Sequence, residues 1–349
     1  MKILRYITSA VILTLFVYGL YYSSYQDLNQ NKKIGLSKQS YFDHTRNREV
    51  SFLAFYPVPN SWLGKKPKGV WKRVPIVENG PISSYHNSKY PLIVFSHGYG
   101  GSPGDLSWLT ESFVHNGYIV ISVAHSDINK EDNIQDHMWN RPLDVSFVLS
   151  QVLSSELGNH IDLERIGFVG FSIGGLTGVW LAGGVANLFN ETHYIPTNKY
   201  TFSSERFSYL KEVEWRKDLD SGRNSFRDPR IKACFLIAPS WGWVFDQKGL
   251  KKISIPFEIV APENDELIVT ENNAGRFQKY IDGSKLILFP SRVGHFTFLN
   301  EIIESEIKSF DPDGKKAYLY IDQPGVCRAR IHAKTSKLAI DFFYTHLVK

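Results

Sequence analysis

The sequence predicts an α/β fold with a mainly parallel central sheet and helices on both faces. Three observations predict it. Short continuous apolar runs alternate with stretches of helical spacing. The runs lack the polar alternation of a half-wet strand, so they read as strands buried on both faces. The glycines and reactive side chains cluster directly after the runs, where open α/β sheets bind ligands.

Each element follows in order. EVSFLAFYP, from Glu49, reads as a strand, and residues 58–90, rich in Pro, Gly, Asn and Ser, as loop. PLIVFS, from Pro91, is a buried strand, followed by a Gly-rich turn and a helix near Leu106–Asn116. GYIVISVAH, from Gly117, is the next strand. Helical spacing over Trp139–Leu157 puts Val145, Val148, Leu149 and Val152 on one face. RIGFVGF, from Arg165, is a strand and Gly174–Val185 a helix. IKACFLIAP and IPFEIVAP are further strands, Thr270–Tyr280 a helix, KLILFP the last strand, and Leu338–Leu347 an amphipathic helix. Residues 187–229 break this rhythm. They are polar, aromatic and long, and are expected to form a lid-like insertion or a surface excursion.

Composition excludes some classes. With 43% hydrophobic and 21% charged residues in 349, most of the chain is expected to fold around a core rather than stay disordered. The net charge of +5 comes from scattered Lys and Arg, which suits a solvated surface and not a nucleic-acid face. Two cysteines, Cys234 and Cys327, leave two readings open: one disulfide, or two buried free thiols. No Cys/His spacing for a metal occurs, and no cofactor is expected.

Lys2 and Arg5 precede an uncharged, mostly apolar stretch from Tyr6 to Tyr25, long enough for a membrane span of about 20 residues. Bulky tyrosines stand where a small-residue cleavage site would be, which favours an uncleaved signal-anchor over a cleaved signal or a core helix. The positive end would stay in the cytoplasm, leaving the rest extracytoplasmic and membrane-anchored, or secreted if the segment is cleaved. The expected organisation is therefore residues 1–25 as signal-anchor or signal peptide, 26–40 as polar linker, and 41–349 as one catalytic domain.

The chemistry centres on Gly170-Phe171-Ser172-Ile173-Gly174-Gly175. It matches G-x-S-x-G, in which a sharp strand-to-helix turn lifts a nucleophilic serine above the sheet. Side chains two residues either side of the serine would collide, hence Gly170 and Gly174. Three fixed positions of this kind recur by chance in about one chain in ten. The buried strand before the motif and the helix after it are what give it weight. Ser172 is the expected nucleophile.

An acyl-transfer oxyanion needs two converging N–H donors. Ile173, directly after the serine, supplies one. Tyr99, in Ser96-His97-Gly98-Tyr99 at the end of PLIVFS, supplies the other through its backbone, and His97 is expected to brace that loop. The general base should be a late histidine. His295, in Val293-Gly294-His295-Phe296 after KLILFP, is preferred to His332, in a charged stretch, and to His346, in the last helix. The orienting acid should follow IPFEIVA, where Glu263, Asp265 and Glu266 compete. Asp265 has the favoured turn position, and Asp246 is an outsider. Trp241 and Trp243 are candidates for an acyl pocket or for packing under a loop.

These residues resemble the α/β-hydrolase superfamily. More closely they resemble its bacterial branch related to platelet-activating-factor acetylhydrolases and dienelactone hydrolases. The likeness runs through Asp43-His44-Thr45-Arg46-Asn47-Arg48, FSHGYGGSP, NGYIVISVAHSD, NRPLDVSFVL, GFSIGG and GHFTFL. The Asn264-Asp265 loop is also similar to that of cutinase-type esterases. The resemblance implies a serine esterase acting on short or oxidised acyl esters, with a small-molecule or lipid substrate. Two departures matter: a dienelactone hydrolase has Cys where this chain has Ser172, and Ala238-Pro239-Ser240 lacks the acid that animal acetylhydrolases carry there. Two alternatives remain: a thioesterase, amidase or peptidase on the same triad, and a non-catalytic membrane-anchored binding protein.

Overall fold

The apolar runs pair into one sheet. The computed structural model describes residues 33–84, 89–126, 128–129, 134–135, 138–187 and 224–349. Its strands are β1 (Ile34–Asp43), β2 (Arg48–Pro57), β3 (Ile76–Glu78), β4 (Tyr90–Ser96), β5 (Ile119–Ala124), β6 (Ile128–Asn129), β7 (Ile134–Gln135), β8 (Ile161–Phe171), β9 (Ala233–Ile237), β10 (Phe257–Pro262) and β11 (Lys285–Phe289). Nine of them form a sheet in the order β11-β10-β9-β8-β4-β5-β2-β1-β3, and β6 pairs with β7 alone. From β11 to β5 every neighbour is parallel; β2 runs antiparallel to both β5 and β1.

The helices are α1 (Ser107–His115), α2 (Asn140–Leu153), α3 (Ile173–Leu181), α4 (Gln247–Leu250), α5 (Arg276–Tyr280), α6 (Ile307–Phe310) and α7 (Arg328–Phe343). They cover the sheet on two sides, because alternate residues of each buried strand point to opposite faces. Leu92, Val94, Ile121 and Phe168 pack with Val145, Val148, Leu149 and Trp180 of α2 and α3. Ile93, Phe95, Val169 and Phe235 pack on the other side with Leu109 and Phe113 of α1 and Phe342 and Phe343 of α7. The mainly parallel sheet with helices on both faces is thus as expected.

Four sequence expectations need correction. Residues 34–40, assigned to a linker, are the first part of β1, paired along its whole length with β2. An antiparallel strand near a sheet edge has one wet face, so polar residues such as Ser37, Lys38 and Gln39 do not exclude it. The loop at 58–90 contains β3, which pairs parallel with Ile34–Leu36. The last helix begins at Arg328, ten residues earlier than expected, because Arg328 and His332 in its charged first half turn inward and are buried. Cys234 is buried and Cys327 exposed, both free, so neither cysteine expectation holds as stated.

The anchor segment lies outside the described residues, as do residues 188–223 of the insertion expected at 187–229. Among the described residues no helix is long and apolar enough to cross a membrane.

At Gly167 of β8 the sheet touches α7 closely: a Cβ there would stand 2.4 Å from the Phe343 ring. Gly167→Ala is expected to overpack this contact and cost about 1–3 kcal/mol. Urea unfolding measures it, and an unchanged midpoint would contradict this packing account.

Candidate active site

At the end of β8 the chain turns directly from strand into helix. Ser172 has φ 54°, a conformation that L-residues rarely take, and α3 starts at the next residue. The strain persists because its surroundings fix it. The Ser172 N–H donates to the Ile237 carbonyl at 2.9 Å, and its own carbonyl accepts from Ser240 at 3.0 Å and Gly175 at 2.9 Å. The glycines are required by close approach. A Cβ on Gly170 would lie 2.1 Å from the Gly174 carbonyl oxygen, and one on Gly174 would lie 2.1 Å from that of Ser96. Ile173 is the first residue of α3, where backbone N–H groups have no acceptor within the helix and the dipole favours negative charge.

The loop after β4 lies directly against this elbow. A Cβ on Gly98 would stand 3.2 Å from the Phe171 ring and 3.5 Å from the Ser172 Cβ. The His97 ring sits inside the loop. Its Nε2 accepts from the His125 backbone N–H at 3.1 Å, which leaves the proton on Nδ1 to donate to the Gly98 carbonyl at 2.7 Å. Arg141 of α2 grips the same loop, donating through Nη1 to the His97 carbonyl at 2.7 Å and through Nη2 to that of Gly98 at 3.2 Å.

Beyond β10 and β11 the other two candidates meet. His295 Nδ1 donates to Asp265 Oδ2 at 2.7 Å, and both side chains are almost fully buried. Asp265 Oδ1 accepts from the Leu267 and Ile268 N–H groups at 2.9 and 3.0 Å, so the carboxylate is held by its own turn. With Nδ1 donating, His295 Nε2 is left as the basic nitrogen. The His295 ring lies 5.1 Å from the Phe171 ring, centroid to centroid, which brings it beside the residue preceding Ser172.

The competing residues have other partners. Glu266 accepts the His295 backbone N–H at 2.8 Å, and its carboxylate leaves no space for a side chain at Gly294. Glu263 is exposed. Asp246 caps α4 through Gly249 and binds Asn187. His346 packs on Phe342 in the last turn. Trp241 and Trp243 follow Ser240 as a half-buried pair with ring centroids 5.4 Å apart, and Trp241 has φ 60°.

His332 supports the segment that carries His295. It stacks on Trp108 with centroids 4.1 Å apart and donates through Nε2 to the Thr297 carbonyl at 2.9 Å. Thr297 Oγ1 in turn donates to Asp322, which receives a two-pronged bond from Arg328.

A hydrogen-bonded Ser–His–Asp chain elsewhere in the molecule was not foreseen. Ser96 Oγ donates to His125 Nε2 at 3.0 Å, and His125 Nδ1 donates to Asp144 Oδ2 at 3.2 Å. Asp144 also accepts from Arg46 at 2.7 Å and Arg48 at 3.3 Å. Burial raises the Asp144 carboxyl, and Arg48, Arg46 and Arg141 oppose that shift. Both Asp144 oxygens act as acceptors, which is the carboxylate form. Ser96 is wholly buried in a regular strand, whereas Ser172 stands 7% exposed at a helix start, so only the second has the setting of a nucleophile. The sequence signal was present in Arg46, Arg48, His125, Arg141 and Asp144, but Arg46 and Asp144 lie 98 residues apart and no spacing reveals the pairing. Among the described residues no group of three or more His, Cys, Asp and Glu side chains is arranged to hold a metal ion.

The chain is similar to several known proteins. The family model described as platelet-activating factor acetylhydrolase, isoform II, matches residues 14–138, a span that includes Tyr99 and ends before Ser172. Cutinase est1 of Thermobifida alba is 30% identical over 89 residues, 26% of this chain and 29% of that protein. Cutinase 2 of Thermobifida cellulosilytica is 27% identical over 89 residues, 26% of this chain and 33% of that one. The chain thus spans about a third or less of these relatives' length. A ferulic acid esterase from Streptomyces cinnamoneus superposes with TM-score 0.61 over 90% of both chains at 19% identity, a likeness of fold.

Burial lowers His332 to about 4, only partly opposed by the Thr297 bond. A base depressed below its unfolded value contributes stability above about pH 6.5 that is lost as pH falls towards 4. Glu111, raised by burial to about 7, acts in the opposite sense, losing its contribution as pH rises. Comparison with His332→Gln, which keeps a donor for Thr297, isolates the histidine. Between pH 7 and pH 4.5 the wild type is expected to lose about 2 kcal/mol more than the variant. Equal losses in urea titrations at the two pH values would contradict a neutral buried His332.

Proposed function

We propose, from the premise that the chain has the α/β-hydrolase fold, that it hydrolyses carboxylic esters through Ser172, His295 and Asp265. One observation carries this reading. A serine at positive φ on a strand–helix elbow and a buried imidazole–carboxylate bond both border Phe171. The family description, an acetylhydrolase, and the structural neighbour, an esterase, support acyl-ester hydrolysis.

His295 Nε2 takes the proton of Ser172 Oγ as the oxygen attacks the ester carbonyl. Asp265 fixes the tautomer that leaves Nε2 basic and stabilises the imidazolium once formed. The tetrahedral oxyanion accepts from the Tyr99 and Ile173 N–H groups. Collapse expels the alcohol, which takes its proton from His295. Water, deprotonated by the same nitrogen, then releases the acid from Ser172. The acyl chain is assigned as short, on the strength of the acetylhydrolase family match.

Ser172→Ala is expected to lower kcat by roughly 10⁴–10⁶-fold without unfolding the protein. Asp265→Asn, which presents the wrong hydrogen-bond partner to Nδ1, is expected to lower it by about 10⁴-fold. Both are read with p-nitrophenyl esters from acetate to palmitate, with greatest turnover at the short end. Full activity in Ser172→Ala would refute the site, and a palmitate maximum would refute the acyl assignment.

The apolar stretch Tyr6–Tyr25 is proposed as an uncleaved anchor with the catalytic domain extracytoplasmic. Mass spectrometry of the mature protein is expected to find residues 1–25 present; a start near residue 25 would overturn this.

A further inference from the structure

Arg141 is 2% exposed, and a buried guanidinium is costly unless its donors are engaged. Its engagement is specific. Nη2 reaches the Gly98 carbonyl at 3.2 Å and Nη1 the His97 carbonyl at 2.7 Å, with Ser96 Oγ at 3.4 Å from Nη1. The Gly98 carbonyl also accepts from His97 Nδ1 at 2.7 Å and from the Gly101 N–H at 3.2 Å. Three donors therefore converge on one oxygen.

That oxygen belongs to the peptide unit whose other end is the Tyr99 N–H. A peptide is planar and trans, so its C=O and N–H point in opposite directions. Fixing the Gly98 oxygen fixes the aim of the Tyr99 N–H. Donors on the oxygen also polarise the N–H and make it a stronger donor. Behind Arg141 stands the buried chain from Ser96 through His125 to Asp144, clamped by Arg46 from the β1–β2 turn and Arg48 at the start of β2. Arg46 is bound in turn to Asp43 at 2.6 Å.

We propose that Arg141 is a positioning residue for catalysis: it holds the Gly98 carbonyl so that the Tyr99 N–H points at the oxyanion, and the Ser96–His125–Asp144 chain holds Arg141. This rests on the reading of Ser172 as nucleophile and of Tyr99 as an oxyanion donor. The buried serine of this chain then serves the site as a brace.

The test is Arg141→Lys, which keeps the charge but loses the fork that spans two carbonyls. Loss of a whole oxyanion donor costs about 10²–10³-fold in kcat, so a misaimed one is expected to cost roughly 10–100-fold. With p-nitrophenyl acetate, kcat should fall by that factor while KM stays within about twofold, since only the transition state carries the oxyanion. The inhibition constant of a simple alkylboronic acid, which forms a tetrahedral adduct on the serine, should rise by about the same factor as kcat falls. A purely structural role would not couple these two quantities. Folded Arg141→Lys with kcat unchanged, or with kcat reduced and boronate affinity intact, overturns the proposal. Should Arg141→Lys fail to fold, Ser96→Ala removes one partner of Arg141 at small cost in volume. It is expected to lower kcat and boronate affinity together by roughly 3–10-fold, a fraction of the full donor loss, and no change in either overturns the proposal. Ser172→Ala separates the two readings. If it stays active, the nucleophile assignment fails; if it is inactive while the Arg141 and Ser96 variants behave as wild type, the positioning role alone fails.

Discussion

The close approach of the strand β8 and the helix α3 at the elbow governs the rest of the site. The Gly174 backbone is pressed against the Ser96 carbonyl, and the Gly170 backbone against Gly174, with no space for a Cβ at either position. That contact holds Ser172 at φ 54° and puts it at a helix start. It also presses the end of β4 against the elbow, so the loop His97-Gly98-Tyr99 has its position set by the elbow's own backbone. A sheet edge with three neighbouring strand ends, β4, β8 and β9, converging on one residue is what parallel topology allows.

The Ser96–His125–Asp144 chain illustrates why the three side chains alone do not make an active site. The chain from Ser96 has the same groups in the same hydrogen-bonded order as a triad, yet it is sealed among three arginines. The Asp265–His295 pair ends at a histidine whose Nε2 is left without the Nδ1 proton, beside Phe171, the residue before a serine under backbone strain. Setting separates them: exposure of the hydroxyl, a helix N-terminus beside it, and N–H donors able to meet a developing charge.

Much of this was legible from local pattern. The continuous apolar runs located β4, β5, β8, β9 and β10, because a strand buried on both faces has no polar alternation to obscure it, and the apolar run KLILFP located the edge strand β11. The elbow could be read because steric demand fixes its glycines, and the Asp265–His295 pair because the strand–loop order constrains which carboxylate and histidine meet. What was missed is non-local. β1 looked like a linker because one of its faces is wet. The first half of α7 looked solvated because Arg328 and His332 bury themselves against Asp322 and Trp108, partners that no helical period announces. The Arg46, Arg48, Arg141 and Asp144 cluster joins residues about a hundred positions apart, and only the fold brings them together.

The central claim is that Ser172, and not Ser96, is the nucleophile. Peptide mapping of the folded protein after reaction with a fluorophosphonate tests it most directly. The account predicts one adduct per chain, on Ser172, and none on Ser96. An adduct on Ser96, or none on either serine while esters are still hydrolysed, would contradict it.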